Sequence, residues 1–442
     1  MRKRMLSTVI ATGVIASLVA PAYVAAATVP TCFGKRATIV GTNRDPLKPV
    51  ELKGTAKNDV IVGLRGVDII DGRGGNDLVC AGGGDDLIQS GAGNDKVKGQ
   101  DDLDSIHGGR GRDRIWGGEG GGSSLQGGPG RDRLFGGPGT QDSLIGGPGD
   151  DVMNGGAGYD LAEFWESPRR IEADLTTDLA TGHGEDRILS LEGLVGSNFD
   201  DLLIGDDLSN MIQGGGGNDV VRALGSDGDG GSDILGGADG DDLLDGGEGP
   251  DIASFTTPWA VNVDLSAGTA TTDGFGNDTL VGIEHLVGSR ENDTLVGDAG
   301  DNLIIGNAGD DSMDGREGVD EVAFFDARQS VVADLGAGTA DAGAWGADEF
   351  ANFENLSGSV WQDVLVGDDG PNFIWGGNRS DSLAGVGGDD ILIGARGNDN
   401  ADGGLGTDGC EAEIQNNCEV DPSPGPALGP SIWELMPLER TW

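Results

Sequence analysis

Between residues 54 and 163 one apolar side chain returns at a spacing of nine or ten, from Ile61, Ile70, Val79 and Ile88 to Leu144, Met153 and Ala162. Most of these have a polar residue on at least one side, and Val97, Ile106 and Leu125 on both, and each triplet follows a glycine-rich stretch of five or six. Alternation over three residues is the pattern of a short strand with one face buried, and the glycines supply a tight turn. Each nine-residue unit is therefore a turn plus a strand. Two units close one coil, and stacked coils bring identical turns into register about 4.8 Å apart. Two units, 117–126 and 136–145, carry one extra residue, and the register resumes after each. A period that survives insertions predicts a solenoid.

Counted from the first residue of a unit, position six is aspartate and position eight is apolar, and glycine recurs at one, two and four. Glycines there are expected to allow positive φ angles and close backbone approach. Register then creates an electrostatic problem. Carboxylates spaced about 4.8 Å apart along one edge repel by roughly 3 to 4 kcal/mol per pair at an effective dielectric near 20. Even after salt screening, a dozen such pairs rival the ~5–15 kcal/mol stability of a domain. The stack needs cations between its turns. Carboxylate and carbonyl oxygens without sulfur or imidazole favour Ca²⁺ over zinc, copper or octahedral Mg²⁺.

The units resemble the repeat-in-toxin nonapeptide, G-G-x-G-x-D-x-U-x, recurring here in tandem. The resemblance implies an all-β, right-handed parallel β-roll or β-solenoid with multiple calcium ions between stacked Gly/Asp-rich turns. It also implies that position-six aspartates supply carboxylate oxygens and that turn glycines supply carbonyls. By motif match these aspartates are Asp59, Asp68, Asp77, Asp86, Asp95, Asp104, Asp113, Asp132, Asp142, Asp151 and Asp160. Unit 117–126 has Gly122 and Ser123 at the aspartate's place and is expected to lack that ligand. Arg112, Arg114, Arg131 and Arg133 flank Asp113 and Asp132, and are expected to pair with surplus carboxylates, the alternative being that they weaken a metal site.

From residue 164 the tandem units give way to three longer modules, 164–254, 255–323 and 324–411. Each opens with an alternating segment starting at Ile171, Val261 or Val331, and passes an acidic loop to a segment starting at Leu191, Ile283 or Phe353. Each then returns to nonapeptides, which add Asp219, Asp233, Asp242, Asp251, Asp311, Asp320, Asp381, Asp390, Asp399 and Asp408. Asn210, Asn302 and Asn372 stand at position six in what reads as the first unit after each linker, and predict weak sites or structural turns. We read the alternating segments as wider coils of the same stack. Phe164, Trp165, Phe255, Trp259, Phe324 and Phe325 are expected to fill their core, the alternative being carbohydrate-stacking ledges. Asp227 and Asp229 lie in a glycine-alternating segment read as a solenoid insertion.

Residues 1–27 read as a secretory signal peptide, with Arg2, Lys3 and Arg4 before an apolar stretch and Ala25 to Ala27 at its end. Removing it takes three of the 28 basic residues and none of the 76 acidic ones, so the exported chain is still more acidic than the formal −48 of the whole. Such acidity argues against nucleic-acid partners. No other segment has the length and apolarity of a transmembrane helix. Acidic chains poor in aromatics are often disordered, so the periodic apolar position and the charge together predict a fold conditional on cations. Four cysteines in an exported chain suggest two disulfides, and grouping favours Cys32 with Cys80 and Cys410 with Cys418. Residues 28–53 are expected to cap one end of the stack and 412–442 the other, the latter running into a Pro-rich tail.

No His-Glu-x-x-His or Gly-x-Ser-x-Gly motif occurs, and His107, His183 and His285 fall in three different modules. The chain is therefore expected not to be an enzyme but an extracellular calcium-binding protein whose roll folds on Ca²⁺. Its expected role is stand-alone and structural, at the cell surface or on an extracellular polymer. A toxin or adhesin that binds membranes or cells is one alternative, and a polysaccharide-directed solenoid enzyme is another.

Overall fold

The three residues that follow each position-six aspartate do form a strand, and successive strands alternate between two parallel sheets. The structure is a computed structural model describing residues 29–42, 48–224, 231–272, 276–412 and 414–418. The expected signal peptide, the segment with Asp227 and Asp229, and the tail beyond Cys418 lie outside the described residues. Val60–Arg65, Leu78–Gly83 and Lys96–Asp101 stack in one sheet, while Asp68–Asp71, Leu87–Ala92 and Ser105–Arg110 stack in the other. Pairing is parallel with a register of 18 residues per coil, as in Ile61↔Val79 and Ile70↔Ile88. The described strands number 25 in the first, longer sheet and 18 in the second, shorter one. The chain forms a parallel β-roll.

Position eight faces inward in every coil. Ile61, Val79, Val97, Ile115, Leu134 and Met153 meet Ile70, Ile88, Ile106, Leu125, Leu144 and Ala162 in one continuous core between the sheets. That core is one side chain thick on each side, so the edges bear much of the burden of holding successive coils together.

The wider coils have a definite construction that alternation alone did not reveal. In each module the longer sheet receives a three-stranded antiparallel meander where the shorter sheet receives one strand. The first runs through Glu172–Asp174, Leu179–Thr181 and Glu185–Leu189, with its outer strands rejoining the parallel ladder at Val152–Gly156 and Leu202–Ile204. Val261–Asp264 and Val332–Asp334 open the equivalent meanders of the second and third modules. Three meanders add six strands to the longer sheet, which accounts for its excess apart from one end strand.

The aromatic expectation needs correction. Phe164, Phe255 and Phe324 are buried at 4–5 % exposure, but Trp165 and Trp259 are about half exposed. Phe325 packs edge-on against Trp375 on the outside of the shorter sheet. In Phe164–Trp165 and Phe324–Phe325 the backbone sends consecutive side chains to opposite faces, so only the first reaches the core, while Trp259 lies four residues beyond Phe255.

Both disulfides form as grouped, with Cα separations of 5.7 Å for Cys32–Cys80 and 5.8 Å for Cys410–Cys418. The first pins the hairpin of Thr31–Cys32 and Lys35–Arg36 onto the outside of the longer sheet, and Ile39–Val40 adds a parallel strand beside Val60–Arg65. Cys410 occupies a core position in the last coils, so the second bridge fastens the closing loop to the core itself.

Candidate metal centres

All 21 aspartates predicted at position six are buried except for a small remainder of surface, none above 8 % exposure. Their Oδ1 atoms form a ladder along each edge of the roll. The backbone N–H of Asp59 donates to Asp77 at 2.8 Å, that of Asp77 to Asp95 at 2.7 Å, and that of Asp95 to Asp113 at 2.7 Å. On the opposite edge Asp68 donates to Asp86 and Asp86 to Asp104. Each carboxylate thus satisfies the coil before it.

The second oxygen is different. In eighteen of the 21, from Asp68 to Asp390 with Asp59, Asp399 and Asp408 set apart, Oδ2 is buried without a hydrogen-bond donor among the described residues. It lies over the first glycine of its own turn: a Cβ on Gly63 would stand 2.3 Å from Asp68 Oδ2 and 2.3 Å from the Ala81 carbonyl oxygen. Close approach therefore favours glycine at position one, where only the small Ala81 and Ser90 replace it between 54 and 163; its φ is not in the left-handed region, which corrects the expectation that three glycine positions serve positive φ. Position four serves positive φ: Gly111 has φ +146°, where a Cβ would fall 1.5 Å from the Gly93 carbonyl oxygen, and Asp102 takes φ +73° at the same place. Columns of turn carbonyls thus stand beside the columns of carboxylates.

Burial, reinforced by like-charged neighbours, pushes these carboxyls up, to about 8 for Asp104, about 7 for Asp113 and Asp132, and about 6 for Asp77. Desolvation dominates because an ionised oxygen with no donor has lost its water without replacement. Among the described residues no three Asp, Glu, His or Cys side chains converge on one point. A cation on these edges must draw part of its shell from turn carbonyls, and an oxygen-only set of carboxylates and carbonyls fits a hard ion of high coordination number.

The RTX calcium-binding nonapeptide repeat model matches residues 53–88, 89–123, 117–140, 126–162, 195–225, 287–322, 362–385 and 375–410, about half of the chain. The chain belongs to the RTX calcium-binding repeat family. No curated protein matches it. The RTX matches leave out the meanders and cover most of the nonapeptide stretches between them, the stretch 226–254 before the second meander excepted. It is a calcium-binding β-roll protein.

The RTX ladders also contain residues that the repeat reading missed. Asp186, Asp278 and Asp348 accept the backbone N–H groups of Asp151, Asp242 and Asp311 at 2.8–3.1 Å, so the last meander strand continues the first edge. Each sits in a truncated Gly-x-Asp-x-apolar sequence, which was the available signal. On the second edge Glu192, Glu284 and Glu354 reach the same place and accept from Asp160, Asp251 and Asp320 at 2.8–3.0 Å.

The first RTX unit after each meander is not the asparagine one. Units 196–204, 288–296 and 358–366 precede it and carry Asp201, Asp293 and Asp363 at position six. In these three both oxygens are satisfied: Ser197, Ser289 and Ser359 at position two donate from the backbone to Oδ2 and from the hydroxyl to Oδ1. Asp59 is capped similarly, the N–H and hydroxyl of Thr55 both donating to its Oδ2. The asparagines are satisfied by other means. Asn302 Nδ2 donates to the Glu284 carbonyl at 2.8 Å, and Asn372 Nδ2 to the Glu354 carbonyl at 2.9 Å. Ser123 stands in the ladder between Asp104 and Asp142 and brings no charge.

This division predicts an effect for Asn302→Asp. The new carboxylate loses the amide's donor bonds and gains charge, at a cost of about 1–3 kcal/mol without a cation. Its Tm should therefore rise more steeply with calcium concentration than that of the parent; parallel dependences would show that Asn302 is not a charge-free stand-in for a ligand.

The arginine expectation is also corrected. Asp113 and Asp132 turn inward, away from their flanking arginines, and only Arg131 of the four forms an ion pair among the described residues, with Asp150 of the next coil. Position five, which the motif leaves free, holds a third ladder on the surface: the N–H of Asn76 donates to Asn58, that of Asn94 to Asn76 and that of Arg112 to Asn94, each at 2.7–2.8 Å.

Proposed function

We propose that this is an exported protein in which calcium binding and folding of the roll are one event, serving a non-catalytic, structural role at the cell surface. The observation that carries the reading is the set of eighteen buried carboxylates whose Oδ2 has no donor. Those aspartates, with Asp186, Asp278 and Asp348, are the residues proposed to hold Ca²⁺. Extracellular modules bind calcium at about 10⁻⁴–10⁻³ M, so a chain of this type stays expanded where free calcium is low and folds after export.

The histidines support the non-catalytic part. His285 is buried, its Nδ1 accepts the Leu303 N–H at 3.0 Å, and burial pushes its imidazole down to about 4. A ring held in that way is a poor proton shuttle.

Circular dichroism of the chain without residues 1–27, titrated with CaCl₂ and in parallel with MgCl₂, tests the reading. A cooperative gain of β-sheet with calcium alone is expected, together with recovery of the protein from the culture medium. A spectrum indifferent to either ion would overturn it. The half-exposed Trp165 and Trp259 favour one second reading, an adhesin that seats these rings in a membrane or cell surface. Calcium-dependent co-sedimentation with liposomes distinguishes it.

A further inference from the structure

The outer face of the longer sheet reverses the charge of the molecule over one stretch. Outward positions of successive strands align Lys96 with Arg114 and Arg133, and in the neighbouring column Lys98 with Trp116 and Phe135. Arg112 and Arg131, on the adjoining turns, and Arg187, two strands on from Arg133, extend the positive field. A quarter of the 28 basic residues thus gather on one face of a chain of formal charge −48. Arg131 and Arg187 have a carboxylate within reach, Asp150 and Asp178, whereas Arg112, Arg114 and Arg133 form no ion pair among the described residues. Asp113 and Asp132, beside them in sequence, are turned into the edge, so these three guanidinium groups stay available although Asp150 and Glu185 also line the groove.

The same face carries an aromatic ledge. Trp116 and Phe135 stack with centroids 5.6 Å apart and planes 12° from parallel. Phe33, brought over by the Cys32–Cys80 hairpin, continues the row 5.6 Å from Trp116, and the Lys98 ammonium lies 5.0 Å from its ring. The basic residues border a groove of about 710 Å³ that runs along the aspartate edge.

Flat rings in a row offer stacking surface to the apolar face of a sugar, and guanidinium forks beside them match carboxylate or sulfate groups bidentately. We propose that this face binds a linear acidic polysaccharide, its rings along Trp116 and Phe135 and its anionic groups on Arg114 and Arg133. Nucleic acid would also stack here, but its dense phosphate charge meets the strongest repulsion from the rest of the chain. A glycan charged less densely concentrates its anionic groups on the patch. The inference rests on the folded roll and not on which edge residues hold calcium.

The test uses the full chain in calcium, with circular dichroism confirming β-sheet in every variant. Polygalacturonate and dextran sulfate serve as carboxylate and sulfate probes, with neutral dextran and single-stranded DNA for comparison. One or both acidic glycans should bind, and Arg114→Glu with Arg133→Glu should weaken binding by about a hundredfold, two charge-assisted contacts being lost. Trp116→Ala should cost about tenfold, and Arg396→Glu, on a different part of the roll, should leave binding unchanged. Three outcomes overturn the proposal: neither acidic glycan is retained by a folded protein, DNA is retained in their place, or the patch variants only dissolve a dimer of the chain. A chain that binds glycan yet ignores calcium would instead overturn the function proposed above and leave this one standing.

Discussion

Held near neutral pH in a calcium chelator, the chain is expected to lose most of its β-sheet and to regain much of it on acidification, with no metal added. The usual acid unfolding of proteins is reversed here because the buried carboxyls are raised above their unfolded value of 3.8, to about 6 for Asp77 and about 8 for Asp104. Over the window between those values the folded chain binds more protons than the unfolded one, so its stability falls as pH rises. The stabilising contribution of the neutral carboxyls is complete below about pH 4 and is lost as pH climbs through about 6 to 8. Eighteen orphaned oxygens at about 1–3 kcal/mol each exceed the ~5–15 kcal/mol that a domain has in reserve, so the metal-free roll cannot hold them ionised. In saturating calcium the sign reverses, because protons compete with the ion for the same oxygens. Circular dichroism against pH, with and without chelator, should give two curves of opposite slope. Curves of the same slope would mean that the ladders do not titrate as buried acids.

Substitution within one ladder should separate its two roles. Asp95→Asn keeps an oxygen that accepts the Asp77 N–H, now found at 2.7 Å, and removes only the charge. It should raise the calcium concentration at the folding midpoint while leaving the metal-free, acid-stabilised roll nearly unchanged. Asp77→Ala with Asp95→Ala also strips the acceptors used by the Asp59 and Asp77 N–H groups, at about 1–3 kcal/mol each. That pair should shift the calcium midpoint further and destabilise the acid form too. Asn94→Ala removes an acceptor from the exposed position-five ladder, where water substitutes for it, and should move neither curve by much. Equal calcium midpoints for Asp95→Asn and the parent would leave the aspartates a purely structural role.

Fold and edge were legible for a simple reason. One apolar residue at position eight and one aspartate at position six, repeated without competition from longer-range packing, leave few ways to arrange the chain, and every aspartate named from the motif is buried on an edge. What stayed hidden lay where local pattern and coil geometry part company. The alternation from Val261 onward reads the same whether its partner strand is parallel or antiparallel, so the meanders were not visible in it. Glu284 was hidden because a side chain one methylene longer reaches the ladder from a segment without the repeat's glycine-rich motif. The inward turn of Asp113, which leaves Arg112 and Arg114 without it, depends on Oδ2 nesting against a glycine of its own turn. Sequence spacing does not report that direction.

The meanders also bear on how such a chain can change length. Each interrupts both edges near the same level, and beyond it one ladder restarts at a serine-capped aspartate, such as Asp293, while the other restarts at an asparagine, such as Asn302. Neither restart leaves a carboxylate oxygen waiting for a neighbour. A module of this kind can be duplicated or deleted as a block without exposing an unfinished edge, whereas excising one nonapeptide from within 54–163 would move every later aspartate to the opposite side of the roll. The junctions are therefore natural seams, and growth or loss by whole modules is the route that the architecture tolerates.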